Sequence, residues 1–427
     1  MNNAFSTFLV YFLGASCLFF LIATFLKKDK AFIWSPLTFF TITVFYYCVL
    51  PEFTTSRIFE GMNTSSFGLS FHLAALLSYL SILFGFFFLW PNSPTNWKRW
   101  NNTFTEGNAS TIAIILFVFA LLCYIPFRGF SFSIFTSSDE LNEIDWDSQG
   151  FASYFVGTIS LFVTSCCLFL VGIRKGKNKI LFIVAIWLTL LVYIISGFRY
   201  RIIILLIALF STYYLYFSTK SIKVVPILLI ALVCYFGFNY MDHTRSYGSG
   251  IQVDVAKRMS NQELTHQAGE TERVYNFSIL VMDTYESTGR REYFAPIVNA
   301  ICMPIPRAIF PSKPNAEYMY EATSFVMRGW SGSAYVNSVE AFMAFGWLGV
   351  ILNGLFLGWL ARRFWNNYKK SPRSIGSILA LALFNGVTYV IVSRGYLAQE
   401  FNIALYFICL PFWLSQLYNF LIRKKAL

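Results

Sequence analysis

Apolar runs of membrane-crossing length recur along most of this chain, joined by short polar connections. About 18 or more consecutive apolar residues match the hydrocarbon thickness of a bilayer and read as a transmembrane helix. Eleven are predicted, at roughly 4–26, 31–50, 68–90, 109–127, 151–173, 180–197, 202–218, 224–241, 336–361, 374–393 and 401–422. The sixth is marginal in hydropathy and the seventh is short. The first run lacks a basic leader and is long enough to span, which predicts a retained helix rather than a cleaved signal peptide. The expected fold is an all-α polytopic membrane protein, with helices one to eight in 1–241 and nine to eleven in 336–427.

The pattern breaks once. Between Asp242 and Tyr335 about ninety residues run polar, and no other polar stretch exceeds about twenty-five. So long a connection in a compact protein is functional or disordered. Its aromatics and apolar periodicity argue against disorder. Val274, Phe277, Val281 and Tyr285 recur at helical spacing, which predicts a helix over 270–287. Leu280 and Ile279 widen that face, so the helix is expected to lie against the membrane domain. Residues 296–310 are apolar but interrupted by Pro296, Pro304 and Pro306, too broken to span. They read as a docked or re-entrant segment. The loop 242–335 is thus a third region, helical and on one side of the membrane.

Composition sharpens this reading. Charged residues make up 13% of the chain, against roughly 25% for soluble domains. The net charge of +12 is a topology signal. Placing the N-terminus outside and the C-terminus inside puts 19 cations and two acids, Asp29 and Glu106, in the inner connections, as the positive-inside rule requires. Nothing here points to nucleic acid. The acidic outer stretch with Asp139, Glu140, Glu143, Asp145 and Asp147 reads as a solvated hairpin and lacks calcium-loop spacing. Seven of the eight cysteines fall in spans, Cys302 lies in the loop, and no zinc spacing occurs.

The outer cations run against the positive-inside bias and need a reason. Arg199 and Arg201 sit in the turn Ser196-Gly-Phe-Arg-Tyr-Arg201, and Arg394 opens Arg394-Gly-Tyr-Leu-Ala-Gln-Glu400. Snorkelling to headgroups is one explanation; an anion site is the other. Arginine's planar fork suits a diphosphate. The segment Met303-Pro-Ile-Pro-Arg-Ala-Ile-Phe-Pro-Ser-Lys-Pro314 holds four prolines, which restrict the backbone and would present Arg307 and Lys313 on a rigid track or a plain turn. The loop carries nine cations, among them Arg258, Arg273, Arg290 and Arg291, and ten acids, so any anion site in it is local. Ten residues separate Arg258 from Gly269, a weak two-residue match. Glu340, one turn into the ninth span, is either an ion-pair partner or a general base. Glu400 is similar and is expected nearer the surface.

Ser196-Gly-Phe-Arg-Tyr-Arg201, the proline-rich Ile305-Pro-Arg-Ala-Ile-Phe-Pro-Ser-Lys-Pro314, the Gly329-Trp-Ser-Gly-Ser333 stretch and Glu340…Phe345-Gly346 together resemble the Wzy-type O-antigen and capsule repeat-unit polymerases. The resemblance implies a GT-C-like, metal-independent glycosyltransferase without a cofactor. It would transfer a growing glycan from polyprenyl (undecaprenyl) diphosphate to a new lipid-linked unit on the outer face of the cytoplasmic membrane. A chain-length regulator is the implied partner. Carried onto this chain, the catalytic set is Glu340, Arg199 and Arg307. The diphosphate set is Arg199, Arg201, Arg258, Arg273, Arg307, Lys313 and Arg394. An O-antigen ligase shares this logic. A flippase or transporter fits less well, because the span centres carry almost no charge and no internal repeat is evident.

Overall fold

The computed structural model describes residues 2–27, 29–54, 68–89, 97–127, 157–173, 179–195, 199–217, 270–306, 309–314 and 334–425. Among the described residues the secondary structure is helical throughout, with no strand. Fifteen α-helices follow in chain order: α1 (Asn2–Leu26), α2 (Pro36–Val44), α3 (Leu50–Thr54), α4 (Leu69–Phe88), α5 (Lys98–Asn101), α6 (Ala109–Phe127), α7 (Leu161–Ile173), α8 (Lys179–Ile195), α9 (Arg199–Phe217), α10 (Glu270–Thr288), α11 (Ala295–Cys302), α12 (Asn337–Lys370), α13 (Ile375–Ser393), α14 (Leu397–Ala404) and α15 (Leu410–Lys425). Seven described helical segments are long and apolar enough to cross a membrane, and three shorter apolar helices cover Ala109–Tyr124, Thr158–Ile173 and Lys179–Ile194. The predicted eighth span, 224–241, lies outside the described residues, as do Arg258, Arg307 and the acidic stretch 128–150.

Two helices carry one widened π turn each, Phe45–Val49 between α2 and α3 and Leu405–Cys409 between α14 and α15. Each lies just before a proline, Pro51 and Pro411. A proline ring clashes with the carbonyl four residues back and lacks an N–H. That carbonyl belongs to Tyr47 or Phe407, in the middle of the wide turn, so widening relieves the clash without ending the helix.

The chain forms two compact units. The first comprises Met1–Asn96, Ala268–Lys369 and Val387–Asn402. Here α1 buries Ser6, Leu9, Val10, Leu13 and Cys17 along one stripe and exposes Phe5, Phe8, Phe12 and Phe19. That division suits a helix with lipid on one side. A polar chain fixes α1 to α4 and α10. Ser6 Oγ lies 2.7 Å from His72 Nδ1, His72 Nε2 lies 2.6 Å from Tyr275 Oη, and Tyr275 Oη donates to Glu52 Oε2 at 2.5 Å. The phenol has one proton and gives it to Glu52, so Nε2–H donates to the phenol and Nδ1 accepts from Ser6. The predicted loop helix is α10, and Val274, Phe277, Val281 and Tyr285 are all buried.

Helix α12 crosses α4 at backbone distance. A Cβ on Gly354 would lie 2.7 Å from Ser78 O, one on Gly358 2.2 Å from Ile82 O, and one on Gly85 2.4 Å from Leu355 O. Gly354-Leu-Phe-Leu-Gly358 is a GxxxG pattern, which lets helices approach without side chains between them.

The second unit comprises Trp97–Gln267, Lys370–Gly386 and Ile403–Leu427. Trp100 stacks on Phe412 with ring centroids 4.4 Å apart, Asn419 Nδ2 donates to Thr103 O at 2.8 Å, and Tyr193 Oη donates to Ile159 O at 2.9 Å. Asn385, fully buried in α13, donates to Ser211 Oγ of α9 at 3.2 Å. The part of α13 in this unit, 375–386, is buried at every residue, as befits a helix apolar on all sides.

Candidate active site

A buried polar cluster of the first unit lies where α12 and α14 begin. The two helices hold each other by a reciprocal device. Glu340, fourth residue of α12, accepts from the backbone N–H of Leu397, first residue of α14, at 2.7 Å. Glu400, fourth residue of α14, accepts from Asn337 Nδ2, first residue of α12, at 2.8 Å. Asn337 in turn accepts through its Oδ1 from Asn353 of the same helix. Both carboxylates are buried, at 3% and 5% exposure. Each sits in the first turn of its own helix, where the macrodipole favours an anion. Glu400 is as buried as Glu340, against the expectation from its position in the chain.

Tyr335 closes this cluster. Its carbonyl accepts from Gly395 N–H at 2.5 Å, and a Cβ on Gly395 would meet the Tyr335 ring at 2.7 Å. Gly395 therefore lets the Arg394-Gly-Tyr turn lie flat on the tyrosine. The Tyr335 hydroxyl is buried and has no hydrogen-bond partner among the described residues. Burial first, then the nearby Glu340 carboxylate, pushes this phenol well above the ordinary tyrosine range. A buried unsatisfied hydroxyl costs stability and calls for an explanation such as a ligand or water. Glu292 borders the same region. Its Oε1 accepts from Tyr285 Oη at 2.7 Å and from Arg290 Nε at 2.8 Å.

One turn further on, α12 kinks. Phe345 leaves helical geometry and Gly346 adopts φ +63°, a conformation that favours glycine. The carbonyls of Met343 and Ala344 lose their helical partners there. They accept instead from Glu292 N–H at 2.8 Å and Tyr293 N–H at 3.0 Å. Irregular backbone in a membrane helix is tolerated when protein re-satisfies it, and here the segment before α11 does so.

The other predicted residues fall as follows. Arg394 is half-buried at the end of α13, and Arg273 is exposed on α10. Lys313 Nζ donates to Met303 O at 3.2 Å and Ile305 O at 3.1 Å. Pro304 and Pro306 have no N–H to offer, and the ammonium ties the proline hairpin back to the end of α11. In the second unit, Arg199 opens α9. Arg201 is buried at 6% exposure two residues later, with Nε donating to Tyr200 Oη at 3.2 Å. A buried cation in the first turn of a helix opposes the macrodipole, and an anionic ligand would reverse that cost.

Asn337 and Asn353 carry no role in the sequence reading, and Arg291 enters it only as one of the nine loop cations. The two asparagines stood as amides at the start and in the middle of an apolar run, which was a readable signal.

A family model described as O-antigen polysaccharide polymerase Wzy matches residues 2–425. No curated protein and no solved structure matches the chain.

Proposed function

The chain belongs to the O-antigen polysaccharide polymerase Wzy family, and from that premise we propose that it polymerises lipid-linked oligosaccharide repeat units on the outer face of the bacterial cytoplasmic membrane, without a metal. The observation that carries this reading is the family match over nearly the whole chain. The buried Glu340–Tyr335 cluster and the buried Arg201 give it chemistry.

In the proposed reaction a hydroxyl of the incoming unit attacks the anomeric carbon of the growing chain. The bond from that carbon to the diphosphate oxygen breaks. Undecaprenyl diphosphate leaves with the electron pair, and the hydroxyl proton passes to the Glu340 carboxylate. The leaving group gains negative charge as the bond breaks, and preorganised cations in a dry site stabilise it. Arg199 and Arg201 are assigned to the donor diphosphate. Arg307, Arg258 and Arg394 are supporting candidates, with Arg273 weakened by its exposure and Lys313 by its carbonyl contacts. Leu397 N–H holds Glu340 in one orientation, and a fixed base at hydrogen-bond range of the hydroxyl suits proton transfer.

The test is reconstitution of the purified protein in liposomes with a lipid-linked repeat unit. A ladder of products is expected, and it should persist with a chelator present. A protein that only moves the substrate across the bilayer, leaving its length unchanged, would sink the reading.

A further inference from the structure

We propose that Arg291 and the exposed face of α11 form a seat for the second lipid diphosphate of the reaction, that of the acceptor. The identity of the occupant rests on the polymerase reading. Both substrates of such a polymerase carry a diphosphate, so two anion sites must be filled at once, and Arg199 and Arg201 account for one.

Arg291 sits in the notch of the α12 kink. Its Nη1 donates to Tyr285 O at 3.0 Å and Arg290 O at 2.6 Å, and its guanidinium lies 4.5 Å from the Phe342 ring centre. Among the described residues it has no carboxylate within ion-pair distance. Its Nε and Nη2 donate to no protein group among them. A Cβ on Gly346 would come within 3.2 Å of Nε, so a side chain at this position would crowd that edge of the fork. A snorkelling arginine extends toward water; this one is folded back over an aromatic face, with two donors left over. Cations in such positions pair with something.

The level in the membrane fits a headgroup. Gly346 and Arg362 are sixteen positions apart, roughly 24 Å of helix, close to the thickness of a hydrocarbon core of about 30 Å. The kink thus lies near the boundary opposite the Arg362–Arg363 end. Beside it, Phe294, Ile297, Val298 and Ile301 of the α11 segment are exposed at 64%, 39%, 45% and 64%, while Pro296, Asn299 and Ala300 face inward. A cation without an acid, next to an open apolar ridge, complements an anionic head on an aliphatic tail.

The experiment counts farnesyl diphosphate bound to the full-length protein in detergent by native mass spectrometry. Arg291→Gln keeps an amide N–H for the two carbonyls but removes the charge. It is expected to bind one molecule fewer than wild type. Ile301→Ser, at an exposed position, should weaken that same site severalfold for farnesyl diphosphate and leave inorganic diphosphate binding unchanged. An unaltered count in Arg291→Gln overturns the proposal. So does displacement from the Arg291-dependent site by an equal concentration of phosphatidylglycerol, which would make it an ordinary lipid contact. Should Arg291→Gln fail to fold, the Phe294→Ser/Ile301→Ser double variant decides by the same count. Ladder synthesis by wild type separates the two ideas: no ladder removes the polymerase reading, whereas a ladder with an unaltered count removes only the acceptor seat.

Discussion

Before its kink, α12 meets α14 through polar side chains; after the kink it meets α4 at two glycines, close to bare backbone. The first stretch presents Asn337 and Glu340 to α14 and rests its freed carbonyls on the loop. The second presents Gly354 and Gly358 to α4, where a Cβ would meet the Ser78 and Ile82 carbonyls and, at Gly354, Ser81 Cβ. Glycine contacts in a membrane gain from close packing alone. Buried carboxylates and a hydroxyl without a partner cost stability. A protein that needed only to be stable could have used the glycine solution at both ends. The polar solution is retained on one side of the kink, where the proposed site lies.

The largest expected effect is on the glycine side. Gly358→Leu should abolish recovery of folded protein, because backbone of α4 lies 2.2 Å from the new Cβ. Gly358→Ala should destabilise by about 1–3 kcal/mol, measured by thermal unfolding in detergent. Near-normal stability of both would show that the crossing is looser than its geometry. On the polar side, Glu340→Gln keeps an acceptor for Leu397 N–H. It should fold normally and lose at least about 100-fold in turnover. Glu340→Ala should lose the activity and also about 1–3 kcal/mol of stability. A Gln variant that builds wild-type ladders would assign Glu340 to holding α14, and the two sides would then differ only in means.

Arg201→Met tests the same contrast in the second unit. Removing a cation that opposes its helix dipole should leave thermal stability unchanged or slightly raised and reduce turnover by about 100-fold. A loss of stability with activity intact would make Arg201 structural. The smallest effect belongs to Tyr335→Phe, expected to stabilise by about 1 kcal/mol, since it deletes an unsatisfied buried hydroxyl. Its pH dependence has a definite sign. The folded phenol holds its proton well above the ordinary tyrosine range, so the folded state binds the proton more tightly than the unfolded one. That contribution is present below about pH 10 and is lost as pH rises toward the folded value. The Phe variant should lose less stability than wild type in alkaline melts.

Much of this architecture was legible in the sequence, and the limits have physical causes. Ten of the eleven predicted spans fall on described helices because apolar run length is a local property. The loop helix α10 was legible from four residues at helical spacing, and those four are buried. Pro51 and Pro411 mark the two wide turns, though only the structure shows that the helix continues through them. The kink at Gly346 was hidden, because hydropathy runs through it unbroken and its carbonyls are satisfied by residues some fifty positions upstream, Glu292 and Tyr293. Glu340 was visible as a carboxylate in an apolar run. Its link to Leu397 was not, being a contact across 57 positions. Lys313 was read for its charge, and the structure shows the ammonium on the carbonyls of Met303 and Ile305.

The Ser6–His72–Tyr275–Glu52 chain has a consequence for how the protein is built. Its members enter the membrane in the order of synthesis, and Tyr275 emerges 203 positions after His72. At about 5–20 residues per second the imidazole waits roughly 10–40 s for the phenol that completes its hydrogen bonding. During that interval α1 and α4 stand in the bilayer without their last clasp. Docking of α10 is then the event that locks the amino-terminal helices, and a chain truncated before residue 275 should release α1 to protease or crosslinker while the full chain protects it.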